Sequence, residues 1–492
     1  MRVPRPRWLA AVVLSLYGLF LIWTNPWVTV FEDEATIVAV ARRPVGGLLR
    51  SFAAGFGEHY HPPLSDLFLH YWLRLTSGSL FWLRVPFIAC YCAALWMVAE
   101  IAERLWGRRW TAVLAGAAWP AGYFLGRPAG WYAPTALGVA ALTWLYILWR
   151  GTGRRRALAA FAAAAALLVY TNYLGWVFVA VLGADLLAAR PGRRAVVEFL
   201  GAVGVVILAF LPLLSPLLFR LSARLETPRP VADNLLYGVY MAHTLLAGEM
   251  AAPWTWPGML AAAAGAGLLI AGCRARACRR YLLWMPIPLA VLAGLGVLSS
   301  ARMAMFAPWL LLFLTALLAH CSSKIIRALV AVVFVMGWLG IVTQKYAGSY
   351  RYIEPWGQVA AQVMEMSRPG DLIVSSHPSF YFYLSYRLAQ QPLEGVPSQP
   401  FAAAGRRFSR VAGWRDEMGA AGRLTYVRAN LMPWEAAAER ELLEAVPRKF
   451  RLAGQWRFLE DRGVGVKRLF FPNVAQPRWR IEVQMWERAD AP

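Results

Sequence analysis

Long apolar stretches alternate with short polar connections over the first two thirds of the chain. A run of about 20 apolar residues, with a lower limit of about 17, crosses a bilayer as a helix. The pattern therefore predicts eleven transmembrane helices, several of them near the short limit. These predicted spans are residues 8–23, 83–103, 110–126, 132–149, 157–171, 173–189, 195–219, 257–273, 281–299, 303–320 and 325–343.

Basic residues are concentrated in every second connection. With eleven spans counted, all of these basic connections fall on the side of the basic N-terminus, and short basic loops stay in the cytoplasm. The stretch 62–76 is also apolar, but counting it as a span would move the basic connection 104–109 outside, so we predict an amphipathic helix at the outer surface. The N-terminus is therefore expected inside and the region after residue 343 outside the cytoplasm.

Composition changes sharply after the last predicted span. Residues 1–343 are expected to form a membrane domain with outer loops at 31–82 and 220–256. Residues 344–492 carry 21 Lys+Arg and 15 Asp+Glu, which is typical of a soluble domain. Its patterns predict a small α/β domain, with strands at 371–375, 423–428 and 464–471 and a helix at 434–445.

The excess of basic residues is better explained by the orientation of the chain in a membrane than by a negatively charged partner. The formal net charge is +23, yet 59% of the residues are hydrophobic and the mean hydropathy is +0.46. A soluble basic protein of this charge could bind nucleic acid, whereas this composition indicates a lipid bilayer as the surroundings and no nucleic-acid partner. The five cysteines lie in or beside apolar segments and suggest neither a disulfide framework nor a zinc site.

Ionisable residues of the membrane domain collect in its predicted outer loops. Eight of its twelve acidic side chains and four of the six histidines in the chain lie in the loops 31–82 and 220–256. Such groups at a membrane boundary are costly unless paired or hydrated, which makes them functional candidates. Simpler interpretations remain open: the acids 32–34 can form a solvated loop, and Arg302 can reach lipid phosphates. His59 and His61 provide only two ligands, which do not make a metal site.

Several motifs carry a family resemblance. Phe31-Glu-Asp-Glu-Ala, His61-Pro-Pro-Leu, Leu83-Arg-Val-Pro-Phe and Arg104-Leu-Trp-Gly-Arg-Arg, with Tyr170-Thr-Asn-Tyr-Leu and Arg302 further along, are the motifs concerned. Together they resemble the bacterial branch of the dolichyl-phosphate-mannose protein mannosyltransferase family, to which the lipid A aminoarabinose transferase is related. The resemblance implies a polytopic C-type glycosyltransferase fold, located in the bacterial inner membrane.

The same resemblance implies an activity and a set of site residues. Family members move a sugar from a polyprenyl-phosphate donor to an acceptor at the extracytoplasmic face, with inversion. Asp33 matches the first-loop acid and is expected to be the general base. Glu34 is the second choice for this role, or the residue that orients Asp33. The sugar and the acceptor, whether protein, lipid or envelope glycan, stay open, and a divalent metal is possible but no cofactor is certain. Expected substrate-binding residues are His59, His61, Arg127, Tyr132, Tyr170, Asn172, Tyr173 and Arg302.

Two departures from the family pattern keep other functions open. Many relatives have an acid before the tyrosine of the third-helix turn, where this chain has Arg127-Pro-Ala-Gly-Trp-Tyr132, and Ser65-Asp66 replaces the usual aromatics. The lost acid is compatible with a non-catalytic scaffold on the same fold. A lipid-linked sugar flippase is a further alternative, although no predicted span has a clear central charge pair.

Overall fold

The computed structural model describes most of the chain in considerable detail. The described residues are 7–53, 61–76, 80–225, 231–295, 298–299, 301–321, 323–343, 354–388, 396, 399–429, 435–460 and 479–489. The chain divides into two compact units. The first comprises Met1–Trp27 and Pro44–Ser349, and the second comprises Val28–Arg43 and Tyr350–Pro492.

Helices account for most of the described residues. The first twelve are α1 (Arg7–Trp23), α2 (Glu32–Ala41), α3 (Val45–Ala53), α4 (Leu64–Leu75), α5 (Leu80–Leu83), α6 (Val85–Trp106), α7 (Arg109–Ala118), α8 (Gly122–Leu125), α9 (Tyr132–Thr152), α10 (Arg155–Thr171), α11 (Gly175–Ala188) and α12 (Arg193–Phe210). The others are α13 (Leu214–Leu225), α14 (Val231–Ala247), α15 (Trp256–Arg274), α16 (Arg276–Leu283), α17 (Pro286–Gly294), α18 (Ala307–His320), α19 (Lys324–Thr343), α20 (Trp356–Met366), α21 (Pro378–Arg387), α22 (Trp414–Met418) and α23 (Ala436–Lys449).

Six helical segments among the described residues are long and apolar enough to cross a membrane. They are Phe81–Trp106, Tyr132–Thr152, Arg193–Phe219, Trp256–Arg274, Arg302–His320 and Lys324–Thr343, and α1 and α11 are shorter apolar helices. The predicted stretch 281–299 is interrupted between α16 and α17, where Pro286 begins a new helix. The predicted outer-surface segment 62–76 contains α4. The membrane character is thus clear, while the count of eleven spans stays a prediction.

The predicted span 110–126 is broken at its centre. Helix α7 ends at Ala118, and Pro120 follows, which disfavours a helical conformation of the residue before it. The indole of Trp338 in α19 donates a hydrogen bond to the Ala118 carbonyl over 2.7 Å, and the indole of Trp119 donates to the Leu245 carbonyl over 2.9 Å. Irregular backbone inside a membrane protein is stable when its polar groups find such partners. The break therefore fixes the start of α8.

Polar side-chain contacts join the helices of the first unit. The Trp309 indole of α18 donates to the Thr143 hydroxyl of α9 over 2.9 Å. Asp185 of α11 accepts bonds from Tyr146 of α9 (2.6 Å) and from Arg280 of α16 (2.6 Å). A carboxylate paired in this way costs far less inside a membrane protein than an isolated one. These contacts fix the relative positions of the helices that carry the site.

The second unit contains a six-stranded sheet between two groups of helices. The strands are β1 (Leu372–Val374), β2 (Phe401–Ala403), β3 (Arg406–Ser409), β4 (Arg423–Arg428), β5 (Phe450–Glu460) and β6 (Trp479–Arg488). Their order in the sheet is β2-β3-β1-β4-β6-β5, with β1 parallel to β3 and β4 and the other pairs antiparallel. Ile373 lies in one core with α20 and α21, while Leu372 and Val374 lie in the other core with α22 and α23. This alternation is expected for a strand covered on both faces.

The sequence patterns of the second unit are largely present in the structure. The predicted strands at 371–375 and 423–428 correspond to β1 and β4, and the helix predicted at 434–445 corresponds to α23. The strand predicted at 464–471 lies outside the described residues.

Candidate functional site

The acidic motif forms the first turn of helix α2. Glu32, Asp33 and Glu34 occupy this turn, and Phe31 precedes the helix in an extended conformation. Negative side chains are favourable at this end because the helix dipole is positive there. Asp33 is exposed, whereas Glu34 is fully buried. The two predicted catalytic acids therefore have different surroundings, with Asp33 the accessible one.

Helix α2 is built into the second unit. The Val30 amide donates to the Tyr383 hydroxyl of α21 over 2.9 Å, and the Thr29 hydroxyl donates to the Glu354 carbonyl over 2.5 Å. Both partners lie more than 320 positions along the chain. The acidic segment was expected in an outer loop of the membrane domain, and the contacts group it instead with the C-terminal residues. The C-terminal unit thus positions Asp33.

Aromatic and cationic side chains meet at the N-terminal end of α9. The His61 ring lies 4.2 Å from the Trp131 ring, and the Tyr132 ring lies 4.0 Å from Trp131 on centroid distances. The guanidinium carbon of Arg302 is 5.9 Å from the Trp131 ring centroid, within range of a cation–π interaction. Three predicted binding residues, His61, Tyr132 and Arg302, therefore gather around one indole in the first unit.

Arg127 lies deeper in the same unit and is completely buried. Its Nε donates to the Tyr123 carbonyl over 2.7 Å, its Nη2 donates to the Thr24 hydroxyl over 2.6 Å, and its guanidinium lies 4.0 Å from the Tyr123 ring centroid. Nη1 has no hydrogen-bond partner among the described residues. Burial lowers the pKa of Arg127 to about 10, Tyr123 opposes the shift and Arg84 adds to it. Arg127 therefore stays cationic at neutral pH, with one donor group still available.

Two buried tyrosines lie against the turn that precedes Arg127. A Cβ on Gly122 would be 2.4 Å from the Tyr91 hydroxyl and 3.1 Å from the Tyr17 hydroxyl, and a Cβ on Gly126 would be 2.4 Å from a Tyr91 ring carbon. Only glycine permits such an approach. Neither hydroxyl has a hydrogen-bond partner among the described residues. The Gly-x-x-x-Gly spacing thus makes a flat surface on which Tyr91 packs and from which Arg127 projects.

A second buried arginine lies at the start of α6. Arg84 is 2% exposed, and its Nη1 donates to the Asn25 side-chain oxygen over 3.1 Å. Asn25 directly follows the Thr24 that bonds Arg127. The segment after α1 therefore receives hydrogen bonds from two arginines, which fixes the end of that helix.

The predicted pocket residues after α10 make contacts of their own. The Tyr170 hydroxyl donates to the Ala209 carbonyl over 2.7 Å, and the Asn172 side-chain oxygen accepts from the Leu174 amide over 3.0 Å. Tyr173 packs edge-on against Phe210, with ring centroids 6.1 Å apart. These contacts set the turn between α10 and α11 against α12, and none of them joins it to the group around Trp131.

Some functional candidates were not indicated by the sequence patterns. Trp131 lies within the run 127–132 noted in the sequence but was given no role of its own. Tyr91 and Tyr17 are uncharged at neutral pH and belong to none of the recognised motifs. The Gly122–Gly126 spacing in an apolar stretch is a signal of close packing that could have indicated Tyr91. His59 lies outside the described residues, so its pairing with His61 stays a prediction. In the described part of the chain, no group of three or more His, Cys, Asp or Glu residues could hold a metal ion.

Comparison with known proteins gives a fold but no sequence family. No protein-family model matches the sequence, and no curated protein matches it. The crystal structure of ArnT from Cupriavidus metallidurans bound to undecaprenyl phosphate is similar, with a TM-score of 0.52, 12% identity, and coverage of 96% of this chain and 97% of that chain. The apo structure gives a TM-score of 0.53 and 13% identity over the same shares. The chain is therefore a multi-pass membrane protein with the fold of these two ArnT structures.

Proposed function

We propose that this chain is a membrane glycosyltransferase that moves a sugar from a polyprenyl-phosphate donor to an acceptor, with inversion. The observation that carries this proposal is the likeness, over nearly the whole length of both chains, to an ArnT structure bound to undecaprenyl phosphate. The sequence motifs that resemble the bacterial protein mannosyltransferase branch support the same class. The sugar, and the choice between a hexosyl and a pentosyl donor, stay open.

The reaction requires a base for the acceptor. An acceptor oxygen attacks the anomeric carbon, the bond from that carbon to the phosphate oxygen breaks, and the electron pair leaves with the polyprenyl phosphate. Asp33 takes the acceptor proton, because it is an exposed carboxylate at the start of a helix. Glu34 is fully buried and serves to support the turn that carries Asp33.

The leaving polyprenyl phosphate is a stable anion, so it needs cations and hydrogen-bond donors more than it needs a proton. His61 and Arg302, held beside Trp131, are suited to that role. Arg127 supplies a further guanidinium whose Nη1 is buried and without a partner among the described residues. His59 belongs to this group by the sequence motif.

Tyr132 is the tyrosine best placed to contact the sugar, because it stacks on the same Trp131 as His61. Tyr170, Asn172 and Tyr173 stay candidates for the pocket wall. We further propose that the N-terminus lies in the cytoplasm, that eleven spans cross a bacterial inner membrane, and that the C-terminal unit is extracytoplasmic.

A pair of neighbouring variants tests the assigned base. Asp33→Asn keeps the size of the side chain but cannot accept a proton, so sugar transfer should fall roughly 100-fold or more, with donor binding and thermal stability nearly unchanged. Glu32→Gln removes a charge from the same helical turn without the assigned role and should keep most activity. The measurement is transfer of labelled sugar from a polyprenyl-phosphate donor by the purified protein. Equal losses in the two variants would mean that loop charge, not base catalysis, is responsible.

A further inference from the structure

The second unit has an open groove between helix α20 and strand β5. Its volume is about 620 Å³, and it is lined by Gln358, Gln362, Glu365, Met366, Arg387 and Trp456, together with small residues of α20. These residues come from α20, the end of α21 and β5. The groove is therefore formed within one unit by three elements of its fold.

Helical spacing explains the polar side of the groove. Gln358, Gln362 and Glu365 are separated by four and three residues, so they lie in one row along α20. Val359 and Val363 of the same helix are fully buried in the core below. The row is therefore carried by a helix whose opposite face is anchored, and its amide and carboxylate groups are presented on a rigid support.

The position of the Trp456 ring is also fixed. Trp456 is half-buried and packs at the edge of the same core, and its strand partner is Val483 of that core. A Cβ on Gly454 would lie 2.4 Å from a carbon of the indole ring. The ring therefore lies over Gly454, and the glycine at this position is what gives it room.

The side chains that line the groove indicate the chemical class of its ligand. Two amides, one carboxylate and one guanidinium supply hydrogen-bond donors and acceptors with formal charges that cancel. An anion such as a phosphate group or a nucleic acid favours an excess of basic residues. An apolar helix would cover the two amides and the two charged groups without giving them hydrogen-bond partners. A pyranose ring presents hydroxyl groups at its rim and C–H groups on its face, and the electron-rich face of an indole suits those C–H groups.

We propose that this groove binds a neutral saccharide, which makes a glycan the acceptor class of the enzyme. The acceptor role rests on the function proposed above, whereas saccharide binding follows from the groove alone. Binding in the groove holds a growing or finished glycan on the unit that also carries Asp33.

The test is binding of defined hexasaccharides to the full-length protein in lipid nanodiscs, measured by calorimetry without any donor. The neutral probes are maltohexaose, cellohexaose, chitohexaose and mannohexaose, and hexagalacturonic acid is the anionic comparison. At least one neutral probe should bind at low millimolar concentration or better, and more tightly than the anionic one. Absence of neutral binding, or preference for hexagalacturonic acid, overturns the proposal.

Variants locate the binding. Trp456→Ala should raise the dissociation constant by about tenfold or more, and a tenfold change corresponds to about 1.4 kcal/mol of binding free energy. Gln358→Ala, at an exposed position, should raise the dissociation constant several-fold and leave folding intact. Trp486→Ala is the matched control, because this half-buried tryptophan of the same unit packs against the core on the other face of the sheet. Equal losses in both tryptophan variants, or none in Trp456→Ala and Gln358→Ala, overturn the assignment. Since no donor is present, either result leaves the transferase proposal to its own assay.

Discussion

Replacing Gly122 by alanine should destabilise the first unit by a predictable amount. The new Cβ would lie 2.4 Å from the Tyr91 hydroxyl and 3.1 Å from the Tyr17 hydroxyl. The Tyr91 ring is fully buried and its other edge already touches Gly126, so it has no free space into which to move. Overpacking of this kind costs about 1–3 kcal/mol. Because the same turn carries Arg127, donor turnover should fall as well.

A second substitution identifies the clash. Tyr91→Phe removes the hydroxyl, after which the nearest ring carbon would lie 3.2 Å from the new Cβ on Gly122. The Tyr91 hydroxyl has no partner among the described residues, so its loss alone should cost little. The double variant Gly122→Ala with Tyr91→Phe should therefore recover about 1–2 kcal/mol, which is the coupling energy of a double-mutant cycle.

The matched control is Gly126→Ala. Its Cβ meets the ring carbons of Tyr91 and not the hydroxyl, so Tyr91→Phe should not rescue it. The assay is the unfolding temperature of the purified protein in detergent, at fixed lipid content and scan rate, together with donor turnover. A parent-like Gly122→Ala variant, or equal rescue of both glycine variants by Tyr91→Phe, would refute the packing described around Arg127.

The other predictions concern charge, topology and pH. Arg302→Ala should weaken donor binding more than Arg302→Lys, which keeps the charge but loses the planar fork; parent-like donor binding by both would make it only an interfacial anchor. A reporter active only in the cytoplasm, fused after Trp356, should be silent, and strong activity would mean a miscounted span. Burial raises the pKa of Glu435, which accepts a hydrogen bond from Ser376 over 2.8 Å. Its contribution to stability is therefore present below its unfolded pKa and is lost as pH rises through the folded value, so Glu435→Gln should flatten the pH dependence of unfolding and be at least as stable at pH 7. A steeper dependence in this variant would contradict that sign.

Membrane helices were the most predictable part of this chain. The apolar stretches 83–103 and 132–149 correspond to α6 and α9, because lipid requires long apolar segments whatever their neighbours are. The break after α7 was not predicted. An apolar pattern records the surroundings of a segment and not its hydrogen bonds, and the carbonyl freed at Ala118 finds a partner in Trp338, far along the sequence.

The sequence predicted which types of residue form the candidate site, but it did not predict which of them lie together in space. The motif with Asp33 was found from its acids, and its place in the second unit depends on Tyr383, which is 353 positions away from Val30. No local pattern reports such a contact. Trp131, around which His61 and Arg302 gather, lies in the noted run 127–132 but was not counted among the site residues, because the sequence does not show which side chains stack on an indole.

The fate of a labelled donor tests the central proposal most directly. The purified protein is incubated in vesicles with a polyprenyl-phosphate sugar labelled in the sugar, together with Asp33→Asn as the comparison. We predict release of polyprenyl phosphate, with the labelled sugar transferred to an envelope acceptor or, by slow hydrolysis of the donor, to water. Both reactions should be largely lost in the variant. Movement of intact donor across the vesicle membrane without cleavage would show a flippase. Binding of the donor with neither cleavage nor movement would show a scaffold, and either result would contradict the transferase.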